Sequence, residues 1–97
     1  MATTKDYKEY ILDELNTLND ITSIPMMGEY LLYYKGVLFG GIYDNRFLIK
    51  ITKNNKKYHL EESIPYKNAK PMYLIDSEDR ELIKNIIVDT YNDLNNK

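Results

Sequence analysis

Apolar residues recur at two different periods along the chain, and the changes of period divide it into helix, sheet and helix. From Thr4 to Leu18, Tyr7, Ile11, Leu15 and Leu18 fall three and four apart. That spacing predicts an amphipathic helix with Thr3 or Thr4 as N-cap and Asp6 and Glu9 in its first turns. Near the other end Ile83, Ile86, Ile87, Thr90, Tyr91 and Leu94 repeat in the same way, behind Asp76 or Ser77 as cap and the acidic Glu78, Asp79 and Glu81. The Ile86-Ile87-Val88 run is a weak helix former, so burial of its apolar stripe has to hold this second helix together.

Between the helices the period drops to two. Glu29 to Tyr34, Val37 to Tyr43 and Arg46 to Thr52 read as strands, separated by Lys35-Gly36 and Asp44-Asn45, which suit tight turns with positive φ. A short strand around Ser23 to Met27, ending at Gly28, and a last one from Pro71 to Ile75 extend the meander. Asn54 to Glu62 reads as a short helix or a loop. The expectation is an α+β fold, one domain over residues 1–97, with an antiparallel sheet flanked on one face by the two terminal helices.

Two-residue turns also predict which residues share a face. Pairing Tyr34 with Val37 and Tyr43 with Arg46 places Leu31, Tyr33, Leu38, Gly40, Ile42, Phe47, Ile49 and Ile51 under the helices. It places Tyr30, Leu32, Tyr34, Val37, Phe39, Gly41, Tyr43 and Leu48 on the opposite face, edged by Arg46, Lys50 and Thr52. A slip of one residue exchanges the sets. The second face is too aromatic for ordinary solvent contact, so either the segment from Asn54 to Lys70 folds over it or another molecule does. Tyr30, Leu32, Tyr34, Phe39, Tyr43, Arg46 and Lys50 are therefore the candidate partner-binding residues, for a protein partner or a second copy of the chain.

Composition narrows the function classes. The net charge is −2, which gives the whole molecule no field for nucleic acid or anionic lipid. Yet six lysines lie between Lys50 and Lys70 against Glu61 and Glu62. Of these, Lys50, Lys53, Lys56 and Lys57 beside the tyrosines make single-stranded nucleic acid the alternative partner. There is no cysteine, and no apolar run approaches the roughly 20 residues of a membrane span. The polar N-terminal run lacks the apolar core of a secretory signal, which points to the cytoplasm.

Candidate chemistry is sparse. His59 is the lone histidine, and Asp76, Glu78, Asp79 and Glu81 sit where a helix N-terminus favours negative charge, without the glycine and ligand spacing of a calcium loop. Gly40-Gly41 lies within a strand, where glycines permit a bulge or close packing and do not cradle phosphate. No catalytic, metal or cofactor set is expected, so the reading is a non-enzymatic module.

The run Met26-Met27-Gly28-Glu29-Tyr30, then Tyr33-Tyr34-Lys35-Gly36 and Gly40-Gly41-Ile42-Tyr43-Asp44-Asn45-Arg46, resembles the N-terminal domain family of the competence regulator TfoX, also called Sxy. Leu48-Ile49-Lys50, Ile64-Pro65-Tyr66, Ala69-Lys70 and Met72 continue the likeness over nearly the whole chain, closest to the stand-alone members. The resemblance implies an antiparallel sheet with a helix at each end and a regulatory role in DNA uptake, exerted through transcription machinery and the cyclic-AMP receptor protein. In TfoX a second domain with helix-hairpin-helix-like elements follows, which this sequence does not contain. The resemblance brings no catalytic residues. Met27, Gly28, Tyr34, Gly36, Gly41 and Lys50, which match its motifs, are expected to maintain hairpins and core.

Overall fold

The computed structural model describes residues 3–95. Helix α1 (Lys5–Glu14) leads into strands β1 (Ile21–Met26), β2 (Glu29–Tyr34), β3 (Val37–Ile42) and β4 (Phe47–Ile49). A 3₁₀ turn (Asn55–Tyr58), a short strand β5 (Glu62–Ser63), β6 (Met72–Ile75) and helix α2 (Arg80–Asn95) follow. The six strands form one antiparallel sheet in the order β1-β2-β3-β4-β6-β5. The α+β architecture read from the periodicities is thus the observed one. Strand β5 was not foreseen, because two residues leave no alternation to detect.

Local chemistry sets the element ends. The Thr4 hydroxyl accepts a hydrogen bond from the Tyr7 amide and caps α1. The helix stops at Glu14, earlier than the apolar pattern suggests, but the following turns still bury Leu15 and Leu18. For α2 the cap is Asp79 rather than Asp76 or Ser77: its carboxylate accepts from the Glu81 and Leu82 amides at 3.1 and 3.2 Å. Ser77 instead accepts from the Asp79 amide. Three successive hairpins turn through residue pairs with positive φ, namely Met27-Gly28, Lys35-Gly36 and Asp44-Asn45. Such turns match the right-handed twist of the flanking strands.

Both predicted turn pairings occur, Tyr34 opposite Val37 and Tyr43 bonded to Arg46. The face assignment nevertheless fails in half of the meander. Tyr33 pairs with Leu38 while Leu32 pairs with Gly40, so Phe39 is an extra residue, a β-bulge in the middle of β3. Past the bulge the parity of β3 reverses relative to β2. Tyr30, Leu32, Tyr34 and Phe39 consequently lie under the helices together with Ile42, Phe47 and Ile49. Tyr34 meets Tyr91 of α2 edge-on at 5.1 Å, and Lys8 of α1 lies over the Tyr30 ring at 5.0 Å. Leu31, Tyr33 and Leu38, expected inside, are on the opposite face.

Gly40 explains why the bulge sits where it does. A Cβ there would strike the backbone of Leu48 and Ile49 on β4, so the glycine admits a neighbouring strand. The core beneath the helices gathers Phe39, Phe47, Leu32, Ile42, Ile49, Ile86 and Ile87, each at most 1% exposed. Burial of each such side chain contributes about 1.5–3 kcal/mol. Two polar residues, Asn55 and Thr90, are enclosed with them. Asn55 donates to the Lys50 carbonyl and the Thr90 hydroxyl and accepts from the Thr52 amide, which ties the 3₁₀ turn to α2 and to the end of β4.

Candidate functional site

Helices cover one face of the sheet, and an irregular segment partly covers the other. Arg46 holds that segment in place: its guanidinium donates to the Ser63 hydroxyl at 2.5 Å and to the carbonyls of Ile64 and Pro65 at 2.9 and 3.1 Å. Planar guanidinium suits several carbonyl acceptors at once. Tyr66, carried by the clamped loop, reaches the Tyr43 ring at 6.1 Å between centroids, and the Tyr43 ring in turn lies over Gly41. Burial, followed by the neighbouring Tyr66 and Glu29, raises the pKa of the Tyr43 hydroxyl. Tyr43 and Leu48 are thereby enclosed on the outer face, at 7% and 0% exposure.

The cover is incomplete. Between the loop and strands β1 to β3 a cleft of about 780 Å³ remains. Leu31 and Leu38 form its floor, Tyr43 and Met72 flank it, and Tyr66, Ala69 and Pro71 wall one side. Among the described residues Lys50 and Lys70 are the only charged ones that line it, and no acidic side chain does. Among the described residues the ion pairs are Lys57 with Asp89 and Arg80 with Asp13 and Glu14, none involving Lys50 or Lys70.

The predicted partner-binding residues therefore separate into two groups. Leu32, Tyr34 and Phe39 belong to the core, at 0%, 8% and 0% exposure, and Tyr30 packs against it from the helix side. They form no docking face, because the bulge turned them inward. Tyr43, Arg46 and Lys50 lie where expected, on the outer side, though Tyr43 is covered and Arg46 serves as a clamp. The cleft adds Leu31, Leu38, Tyr66, Lys70 and Met72, which sequence reasoning assigned elsewhere or passed over. The detectable signal was Gly40-Gly41, which marks a strand able to bulge, and the Ile64-Pro65-Tyr66 run, apolar in a segment without regular periodicity.

Exposed apolar side chains concentrate around the same cleft. Among the described residues Ile24, Met26, Met27, Ile64, Tyr66 and Tyr10 are the large hydrophobics left in solvent. Met26 and Tyr66 line the cleft, Ile24 is the cross-strand partner of Leu31, Met27 follows Met26 in the turn, and Ile64 precedes the Pro65 wall. Only Tyr10 lies apart. It borders a smaller cavity of about 310 Å³ between α1 and the start of α2, also lined by Glu14, Asp76 and Ser77. There Glu14 is paired through one oxygen with Arg80 at 3.2 Å, while its other oxygen is buried without a hydrogen bond.

His59, the lone histidine, is exposed and ends the 3₁₀ turn with φ 54°. Among the described residues no group of three or more His, Asp or Glu side chains is placed to hold a metal ion. No described helix is long and apolar enough to cross a membrane.

The fold and this face define a small α+β protein with helices on one side of its sheet and an open, apolar, lysine-bearing cleft on the other. No protein-family model matches the chain. It is 31% identical over 78 residues to the uncharacterized 12.7 kDa protein in the trpE 5′ region of Spirochaeta aurantia, a span covering 78% of this chain and 68% of that protein. The chain belongs to the family of that protein.

Proposed function

We propose that the protein is a non-enzymatic interaction module whose working surface is the outer face of the sheet, where it meets a protein partner or a second copy of itself. One observation carries the reading: five of the six exposed large hydrophobics among the described residues sit at or beside a single cleft. Monomeric proteins seldom leave apolar side chains so gathered unless something covers them. A cytoplasmic regulatory role follows from the resemblance to TfoX-like proteins and from the lack of cysteine, and it is part of the same proposal.

Binding of single-stranded nucleic acid is the second reading, supported by Lys50 and Lys70 beside Tyr43 and Tyr66. It is weaker than the sequence alone suggests. Tyr30, Tyr34 and Phe39 are turned to the helices, and Lys57 is engaged by Asp89 at 3.1 Å, so both the stacking platform and the basic edge shrink.

The test compares Ile24→Glu with Tyr10→Ser in affinity capture from native lysate, with and without nuclease, alongside sedimentation of the purified proteins. Loss of a captured protein, or of a dimer, with Ile24→Glu but not with Tyr10→Ser supports the reading. Capture that nuclease abolishes transfers the assignment to nucleic acid. Behaviour identical to the parent in every assay rejects the outer face as a docking surface.

A further inference from the structure

We propose that the cleft on the outer face binds a small amphipathic anion, an apolar chain or ring bearing one carboxylate, sulfonate or phosphate group. The inference rests on the reading of this face as the binding surface and adds the chemistry of what enters it. Size is the first argument. About 780 Å³ falls within the roughly 300–1,000 Å³ of clefts that hold small organic ligands. Lining chemistry is the second: Leu31, Leu38 and Met72 offer apolar contact along the strands, with the Tyr43 ring at one flank.

Charge is the third, and it selects the ligand. Lys50 and Lys70 both line the cleft, and among the described residues neither has an acidic partner and no carboxylate shares the lining. A neutral apolar ligand would leave those ammonium groups uncompensated at the rim, and a cation would be repelled. An anionic head group meets them while its apolar body displaces water from the floor.

The experiment uses two fluorescent probes of similar shape, the anionic 1-anilinonaphthalene-8-sulfonate and the neutral N-phenyl-1-naphthylamine, with dodecanoate and dodecanol as competitors. The full chain should bind the sulfonate with enhanced emission, and dodecanoate should displace it far better than dodecanol. The double variant Lys50→Met, Lys70→Met, which keeps the aliphatic stems, should bind sulfonate and dodecanoate roughly tenfold more weakly. Its affinity for the neutral probe should stay unchanged, showing that the cleft is intact. Leu38→Glu should abolish binding of both. No probe binding, sulfonate binding indifferent to the lysine substitutions, or equal displacement by dodecanol overturns the proposal. Tyr10→Ser, remote from the cleft, should leave probe affinity unaltered, and capture and sedimentation of the Lys50→Met, Lys70→Met variant tell a failure of ligand binding from a failure of partner docking.

Discussion

The two faces of the sheet are built from similar residues and differ in what covers them. On the inner face Leu32, Phe39, Ile42, Phe47 and Ile49 are at most 1% exposed, because α1 and α2 bring stripes of matching apolar residues. On the outer face Leu31, Tyr33 and Leu38 are only half-buried, and Ile24 and Met26 are 45% and 40% exposed. A helical stripe repeats along its length and seals what it meets. An irregular loop held by one arginine seals only where Tyr66 and Pro65 reach. The contrast shows that apolar composition alone does not make a strand face part of a core.

The sharpest way to break this contrast is to truncate one side chain on each face. Phe39→Ala should lower unfolding free energy by about 3–5 kcal/mol in urea denaturation, whereas Tyr33→Ala should cost less than about 1 kcal/mol. A larger cost at Tyr33 than at Phe39 would mean that the bulge is absent and the faces are the other way round. Next in size is Arg46→Ala, which removes three hydrogen bonds to the loop and should cost about 1–2 kcal/mol. Hydrogen exchange should then quicken at Ser63 and Tyr66 while amides of β2 and β3 stay protected. Uniform acceleration would show that the loop and core open as one unit.

A smaller effect sharpens the comparison at the inner layer's edge. The Tyr58 hydroxyl donates to Asp89 of α2 at 2.5 Å, and burial, then that carboxylate, pushes its pKa up to about 12 from the ordinary 10.0. With the folded value above the unfolded one, the stabilisation is complete below pH 10 and lost as pH rises toward 12. Tyr58→Phe should flatten this alkaline decline in denaturation midpoints. The smallest effect lies at the acid end. The Thr52 hydroxyl beside it and the Asn54 amides hold the Asp93 carboxyl below its usual value of 3.8. Its folded pKa is depressed, so its contribution is present above that value and fades as pH falls through the folded one. Asp93→Asn should shallow the acid limb slightly, and an unchanged limb would remove the Asn54 tether from the account.

Much of the architecture was legible because it rests on periodicity. The stripe from Ile83 to Thr90 and the tight turns at Lys35-Gly36 and Asp44-Asn45 are local signals, and each led to the element observed. Face assignment was less secure, since counting residues between turns presumes an unbroken ladder. Phe39 without a partner exchanges every residue before it, and only Gly40-Gly41 hinted that a bulge was available. The candidate surface suffered accordingly: Leu32 and Phe39 were placed outside, and Leu31 and Leu38 inside. Cover of one sheet face by residues 54 to 70 was one of two alternatives open in the sequence, but the path of the segment was not legible. Their course depends on Arg46 and Asn55 finding backbone acceptors just past the ends of β5 and β4, which no local pattern announces.

The strand order carries a consequence for the sequence of folding events. β1 to β4 zip together through neighbouring turns, but β6 must return across the long excursion between Ile49 and Met72 before β5, whose sole strand neighbour it is, can attach. Closing that excursion costs chain entropy that the early hairpins do not incur. The outermost strand and its adjoining wall are thus expected to assemble last and to detach first. The cleft then has a gate that opens by local unfolding, with the layer beneath the helices still in place.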